Sequence, residues 1–81
     1  MMKKYNFVCC DTFTSKKGEK FFKICFCDVE GVYTFFSSDF DSPVFEELYG
    51  ESYLKEFDAT VFFYYGKDGQ RRCIITACEV K

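Results

Sequence analysis

FTSKKGEKFFKICFCD, Phe13 to Asp28, decides the architecture: a polar, glycine-bearing turn opens into a run whose side chains alternate at the period of a strand. From Lys20 to Asp28, Phe22, Ile24 and Phe26 fall on one face, and Phe21, Lys23, Cys25 and Cys27 on the other. The first set is wholly apolar and is expected to face a core. The second carries a lysine and is expected to be the exposed or binding face. In the turn, Thr14 to Glu19, Gly18 supplies a positive φ at little steric cost, while Ser15, Lys16 and Lys17 suit an exposed tip.

Upstream, KYNFVCCDTF (Lys4–Phe13) is rich in strand-favouring residues and predicts a first strand. Simple alternation puts Tyr5, Phe7, Cys9 and Phe13 on one face, interrupted by Asp11, and Val8 and Cys10 on the other. Downstream, Val29-Glu30-Gly31 makes a tight turn into a third strand, Val32 to Ser37, with Tyr33 and Phe35 on one face and Val32, Thr34 and Phe36 on the other. The texture then changes. From Ser37 to Asp58 there are seven acids against one base, Lys55. Within that segment, Ser42 before Pro43 is a helix start, with Glu46 and Glu47 near the positive helix end and Gly50 at its stop. Phe57 to Tyr65 predicts a fourth strand, Gly66-Lys67-Asp68-Gly69 a hairpin turn, and Arg72 to Val80 a fifth strand.

The resulting order, β-β-β-α-β-β, is that of an OB-fold, so residues 1–81 are expected to form one OB-fold-like, five-stranded Greek-key barrel with a short helix between strands three and four. SH3-like barrels and small α+β sheets are the competing arrangements. A chain of 81 residues buries only roughly 60–65% of its unfolded surface. Twelve Phe and six Tyr supply a dense core, and they exceed what one small core needs, which points to rings at a surface or in a homodimer.

Absent residues restrict the chemistry. The chain has no His, so the usual general base and the Ser-His and Cys-His pairings are missing, and no phosphate-binding glycine motif is present. An enzyme is not expected, nor is a cofactor. Six cysteines without a CxxC spacing predict free, mostly buried thiols rather than a metal site. No secretory leader or run long enough to span a bilayer is apparent, so a cytoplasmic location is expected.

Charge placement then suggests a function. The overall charge is −2, yet the first turn and the strand after it hold Lys16, Lys17, Lys20 and Lys23 against Glu19, and the last hairpin holds Lys67, Arg71 and Arg72 against Asp68. In an OB-fold these are the two loops beside the oligonucleotide groove. Phe21, Tyr33 and Phe35 are expected on the sheet between them, where bases stack. Lysines at hairpin tips also serve solubility and edge protection, so the pattern needs a spatial test.

KKGEKFF, CFCDVEGVY and YGKDGQRRCIITACEV, in this order and spacing, resemble the small single-stranded DNA-binding proteins of the filamentous-phage gene V type and their relatives in phages and plasmids. The resemblance covers most of the chain outside the acidic middle. It implies an OB-fold dimer that coats single-stranded DNA without sequence preference during replication. Its basic turn matches at Lys16, Lys17 and Lys20, and its aromatics at Phe21 and Tyr33. A second reading makes the chain an acidic interaction module or nucleic-acid mimic, docking on a host nucleoprotein through Asp39, Asp41, Glu46, Glu47 and Glu51.

Overall fold

The strands and helix follow in the order β1 (Lys3–Thr14), β2 (Lys20–Asp28), β3 (Gly31–Ser37), α1 (Pro43–Leu48), β4 (Glu56–Tyr65) and β5 (Arg71–Val80). The computed structural model describes residues 2–80. All pairings are antiparallel, and the strands lie in the order β3-β2-β1-β4-β5. The fold is therefore mainly β: five antiparallel strands in one sheet, with one short helix between β3 and β4. No helix among the described residues is long and apolar enough to cross a membrane.

β3 and β5 are the two edges of the sheet, yet they touch. The Cys73 thiol of β5 donates to the Thr34 carbonyl of β3 at 3.2 Å, and Phe63, the β4 residue paired with Cys73, brings its ring to 5.1 Å from that of Tyr33. The sheet thus curls until its edges meet through side chains. It does not close into the expected barrel, because no ladder joins β3 to β5 among the described residues. What meets at the contact is a side chain on a backbone carbonyl, Cys73 on Thr34, rather than one strand on another.

β1 belongs to both halves of the curl. Lys3–Asn6 pair with Ala59–Glu56 of β4, and Asn6–Thr14 pair with Cys27–Lys20 of β2. At the changeover Val8 is an extra residue, since Phe7 faces Phe26 and Cys9 faces Cys25. Such a bulge bends the strand and resets its alternation. Tyr5 and Phe7 are buried inside, whereas Cys9, Asp11 and Phe13 share the outer face with Cys25, Lys23 and Phe21. The single face expected for Tyr5, Phe7, Cys9 and Phe13 is therefore split in two, which also explains the interrupting Asp11. A second bulge, at Thr76 of β5, keeps Cys73 and Ile75 buried on the core side.

Phe22, Ile24 and Phe26 are fully buried, as their alternation in β2 requires. Phe26 meets Tyr5 of β1, Tyr33 of β3 and Phe57 of β4 at centroid distances of 5.1, 5.4 and 6.1 Å. α1 has only six residues, too few to hold helix alone. Ser42 caps it, its Oγ accepting the Phe45 N–H at 3.3 Å, and Val44 and Leu48 bury against the sheet. Phe45 packs on Phe22 at 4.7 Å, and the Glu47 carboxylate accepts the Val80 N–H at 3.4 Å. The helix thus covers the end of the curl where β3 and β5 finish.

Replacing Phe26 by Ala removes the ring shared by three neighbouring strands. The expected cost is about 3–5 kcal/mol, a large part of a small domain's stability of about 5–15 kcal/mol. A urea titration followed by circular dichroism measures it, against Tyr53→Ala, whose ring is 71% exposed, as the control expected to cost far less.

Candidate functional site

The basic turn between β1 and β2 is tightly closed. Ser15 N–H donates to the Glu19 carbonyl at 2.8 Å, Gly18 N–H donates to the Ser15 carbonyl at 2.9 Å, and Gly18 takes a φ of +84°. This geometry displays Lys16 and Lys17 to solvent. One rung below Lys20, Phe13 and Phe21 stack at 5.6 Å on the outer face, and Phe36 of β3 meets Phe13 edge-on at 6.1 Å. Lys23 stands in register between Asp11 and Phe36. Phe13 is 42% exposed and Phe36 53%, which is high for stacked rings in so small a domain. The structure thus gathers Lys16, Lys17, Phe21 and Lys23 around a partly open aromatic cluster, whereas Lys20 has the parity of Phe22 and turns toward Phe40 at the edge of that cluster.

The remaining expected residues divide. Arg71, Arg72 and Tyr33 line a groove of about 680 Å³ along the β3–β5 seam, together with Thr34, Phe36 and Tyr64. The Arg71 guanidinium lies 4.2 Å from the Phe63 ring centre and 5.9 Å from that of Tyr33, a cation–π stack that aims its charge along the seam. Arg72 is ion-paired to Asp68 at 2.8 Å. Lys67 stands exposed at the hairpin tip. Phe35 is only 8% exposed and packs on Phe22, so its ring belongs to the core and is not presented to a ligand.

The two basic turns lie at opposite ends of the sheet. Thr14 and Lys20 adjoin the first turn, whereas β4 passes Lys3 at Ala59 and continues six residues further, to Tyr65, before the second. What connects them is Phe36. It packs on the aromatic cluster and also lines the seam groove, so a continuous surface runs from one turn to the other across β2 and β3. Phe13 and Phe36 escaped the sequence reading. The Val8 bulge hid the first, and the second needed the register that sets it opposite Lys23.

Asp39, Asp41, Glu46, Glu47 and Glu51 occupy the loop after β3, α1 and the turn beyond it. The start of this segment lies beside the first basic turn, since Phe40, between Asp39 and Asp41, lines a shallow cleft with Thr12, Thr14 and Lys20. Part of this acidity is tied into the fold, since Asp39 accepts the Asp41 N–H at 3.2 Å and Glu47 holds Val80. Among the described residues, no group of three or more Cys, Asp or Glu is arranged to hold a metal ion.

Asp28 anchors the other end of the groove. Its carboxylate accepts the Glu30 N–H at 2.9 Å, the Gly31 N–H at 3.2 Å and the Tyr33 hydroxyl at 2.9 Å. Desolvation pushes this carboxyl up, but the three donors outweigh it and hold it below the ordinary value. Desolvation, then the bond to Asp28 and its charge, push the Tyr33 phenol up to about 12, with Arg71 opposing. Raised above its unfolded value of 10.0, the phenol contributes stability that is complete below that pH and lost as pH rises through about 12. Asp28 acts in the other direction, its contribution disappearing as pH falls through its lowered value. An NMR titration of the tyrosine ring carbons is expected to show one phenol near 12 that moves back toward the ordinary value in Asp28→Asn. An unchanged titration in that variant would rule out the Asp28 bond as a cause.

No protein-family model, curated protein or solved structure matches the chain.

Proposed function

We propose that this chain binds single-stranded nucleic acid without sequence preference, as a single-stranded DNA-binding protein of a phage or mobile element, on an opened OB-like sheet. The strand order β3-β2-β1-β4-β5, with β3 lying beside β5, supports that assignment, because an OB barrel parted between those strands has this order. The observation that carries the function is the partly exposed Phe13–Phe21–Phe36 cluster, flanked by the lysine turn and continuous through Phe36 with the arginine groove. Bases stack on Phe21, Phe36 and Phe13, each worth about 1–3 kcal/mol. Lys16, Lys17, Lys20 and Lys23 meet phosphates at one end, and Arg71 and Lys67 at the other. Arg72 joins them when it leaves Asp68. With an overall charge of −2, affinity rests on this local concentration of cations and rings rather than on a general attraction to polyanions.

The unpaired rings further along β4 support a homodimer. Beyond Ala59, β4 has no strand on its β1 side among the described residues, and Phe62 and Tyr65 are 59% and 76% exposed there. Such an edge pairs readily with a second copy of itself.

Binding is measured by the anisotropy of a labelled oligo-dT. The expected result is an affinity that falls linearly on a log–log salt plot, with a slope of about −0.7 per phosphate contacted. Phe36→Ala is expected to weaken binding roughly 5- to 150-fold, the equivalent of 1–3 kcal/mol. Lys16→Glu with Lys17→Glu is expected to weaken it and to flatten the slope. An absence of binding at low salt would sink the proposal. Sedimentation equilibrium tests the dimer: Phe62→Lys with Tyr65→Lys should shift the wild-type protein from dimer to monomer with its circular dichroism unchanged. A monomeric wild type would exclude the edge contact.

A further inference from the structure

The six cysteines divide by face, and the division separates core thiols from a set on the outer face that contains a directly opposed pair. Cys10, Cys73 and Cys78 lie against the core, and burial pushes each of their thiols up to about 11. Cys9, Cys25 and Cys27 lie on the outer face, all partly exposed and all free. Within that second group the Val8 bulge has a specific effect: it brings Cys9 directly opposite Cys25 in the β1–β2 ladder. Directly opposed residues of an antiparallel pair have Cα atoms about 4.5–5.5 Å apart, inside the roughly 4.4–6.8 Å span of disulfides. The Cys9 thiol lies 3.9 Å from the Asp11 carboxylate and the Cys25 thiol 3.8 Å from the Thr34 hydroxyl, long contacts that a rotation about χ1 exchanges for each other's sulfur.

We propose that Cys9 and Cys25 form a reversible disulfide that clamps the β1–β2 hairpin from its outer face. The oxidant is a low-molecular-weight disulfide such as oxidised glutathione. One protein thiolate attacks it, forming a mixed disulfide and expelling one glutathione thiolate. The second protein thiolate then displaces the other. Two protein S–H bonds are lost and one S–S bond is formed. The two electrons leave with the small disulfide, which is reduced to two thiols. Desolvation, and next the contact with Cys25, hold the Cys9 thiol above its ordinary value, so closure is slow at neutral pH and quickens as pH rises.

Where the clamp sits gives it a consequence. The loop it closes, Cys9 to Cys25, contains the whole basic turn with Lys16, Lys17 and Lys20, and also Phe13 and Phe21. Cross-linking its base restricts the unfolded chain and stiffens the hairpin that presents those groups. The alternative pairings are disfavoured by the same register. Cys10 faces Ile24 on the core side, and Cys27 faces Asn6 and Val32 rather than a thiol.

The test does not depend on nucleic-acid binding. The full chain is incubated with oxidised glutathione at mildly alkaline pH, and its intact mass and thermal midpoint are measured. The expected result is a loss of two hydrogen masses and two titratable thiols, with a midpoint higher by on the order of 10 °C. Dithiothreitol should reverse both. Cys9→Ser and Cys25→Ser should each abolish closure, whereas Cys10→Ser and Cys27→Ser should leave it intact. Retention of all six thiols would overturn the proposal. So would accumulation of a stable glutathione adduct on the wild type, which would mean that the two sulfurs cannot reach each other, or closure that survives Cys9→Ser.

Discussion

The packing of Phe26 is the contact on which the rest of the structure depends. It is fully buried, and its ring touches rings from β1, β3 and β4, so it gathers strands from both halves of the sheet. A flat five-stranded sheet could not deliver those three neighbours to one side chain. The sheet therefore curls, and the curl brings its two edges together at Thr34 and Cys73. There the edges meet through the Cys73 thiol, with Tyr33, Phe63 and Arg71 packed alongside, and not through a backbone ladder. Core packing and the open groove thus have one cause.

The Val8 bulge is the second constraint, and it works through parity. Side chains in a strand alternate, so one inserted residue sends everything after it to the opposite face. Here it carries Cys9, Asp11 and Phe13 outward, where they join Cys25, Lys23 and Phe21. Both the aromatic cluster of the candidate site and the Cys9–Cys25 pair exist only because of that shift. The proposed binding surface and the proposed thiol clamp thus share one hairpin.

Electrostatics add a local balance that the net charge of −2 conceals. The start of the acidic segment, where Phe40 stands between Asp39 and Asp41, adjoins the lysine turn. Carboxylates within a Debye length of about 8–10 Å lower the positive potential seen by a polyanion. Stacking on the exposed rings consequently has a larger share of the proposed affinity than it would in a basic protein. Arg72 carries the same restraint on a smaller scale, since Asp68 must release it before it can meet a phosphate.

The sequence by itself determined the element order, the Ser42-Pro43 helix start, the turns at Gly18 and Gly69 and the core assignment of Phe22, Ile24 and Phe26, because each follows from local geometry or from an unbroken period. It also marked Lys16, Lys17, Lys20, Phe21 and Lys23 as a group, since they lie within eight residues of one another in a single hairpin. Tertiary structure decided what depends on pairing across long separations. The register of β1 on β2 exposed Phe13, the seam between β3 and β5 joined Arg71 to Tyr33, and the packing on Phe22 withdrew Phe35 into the core. The physical reason is parity: a bulge or an edge-to-edge contact changes which face a residue occupies without changing its local propensity, so only the folded register reveals it.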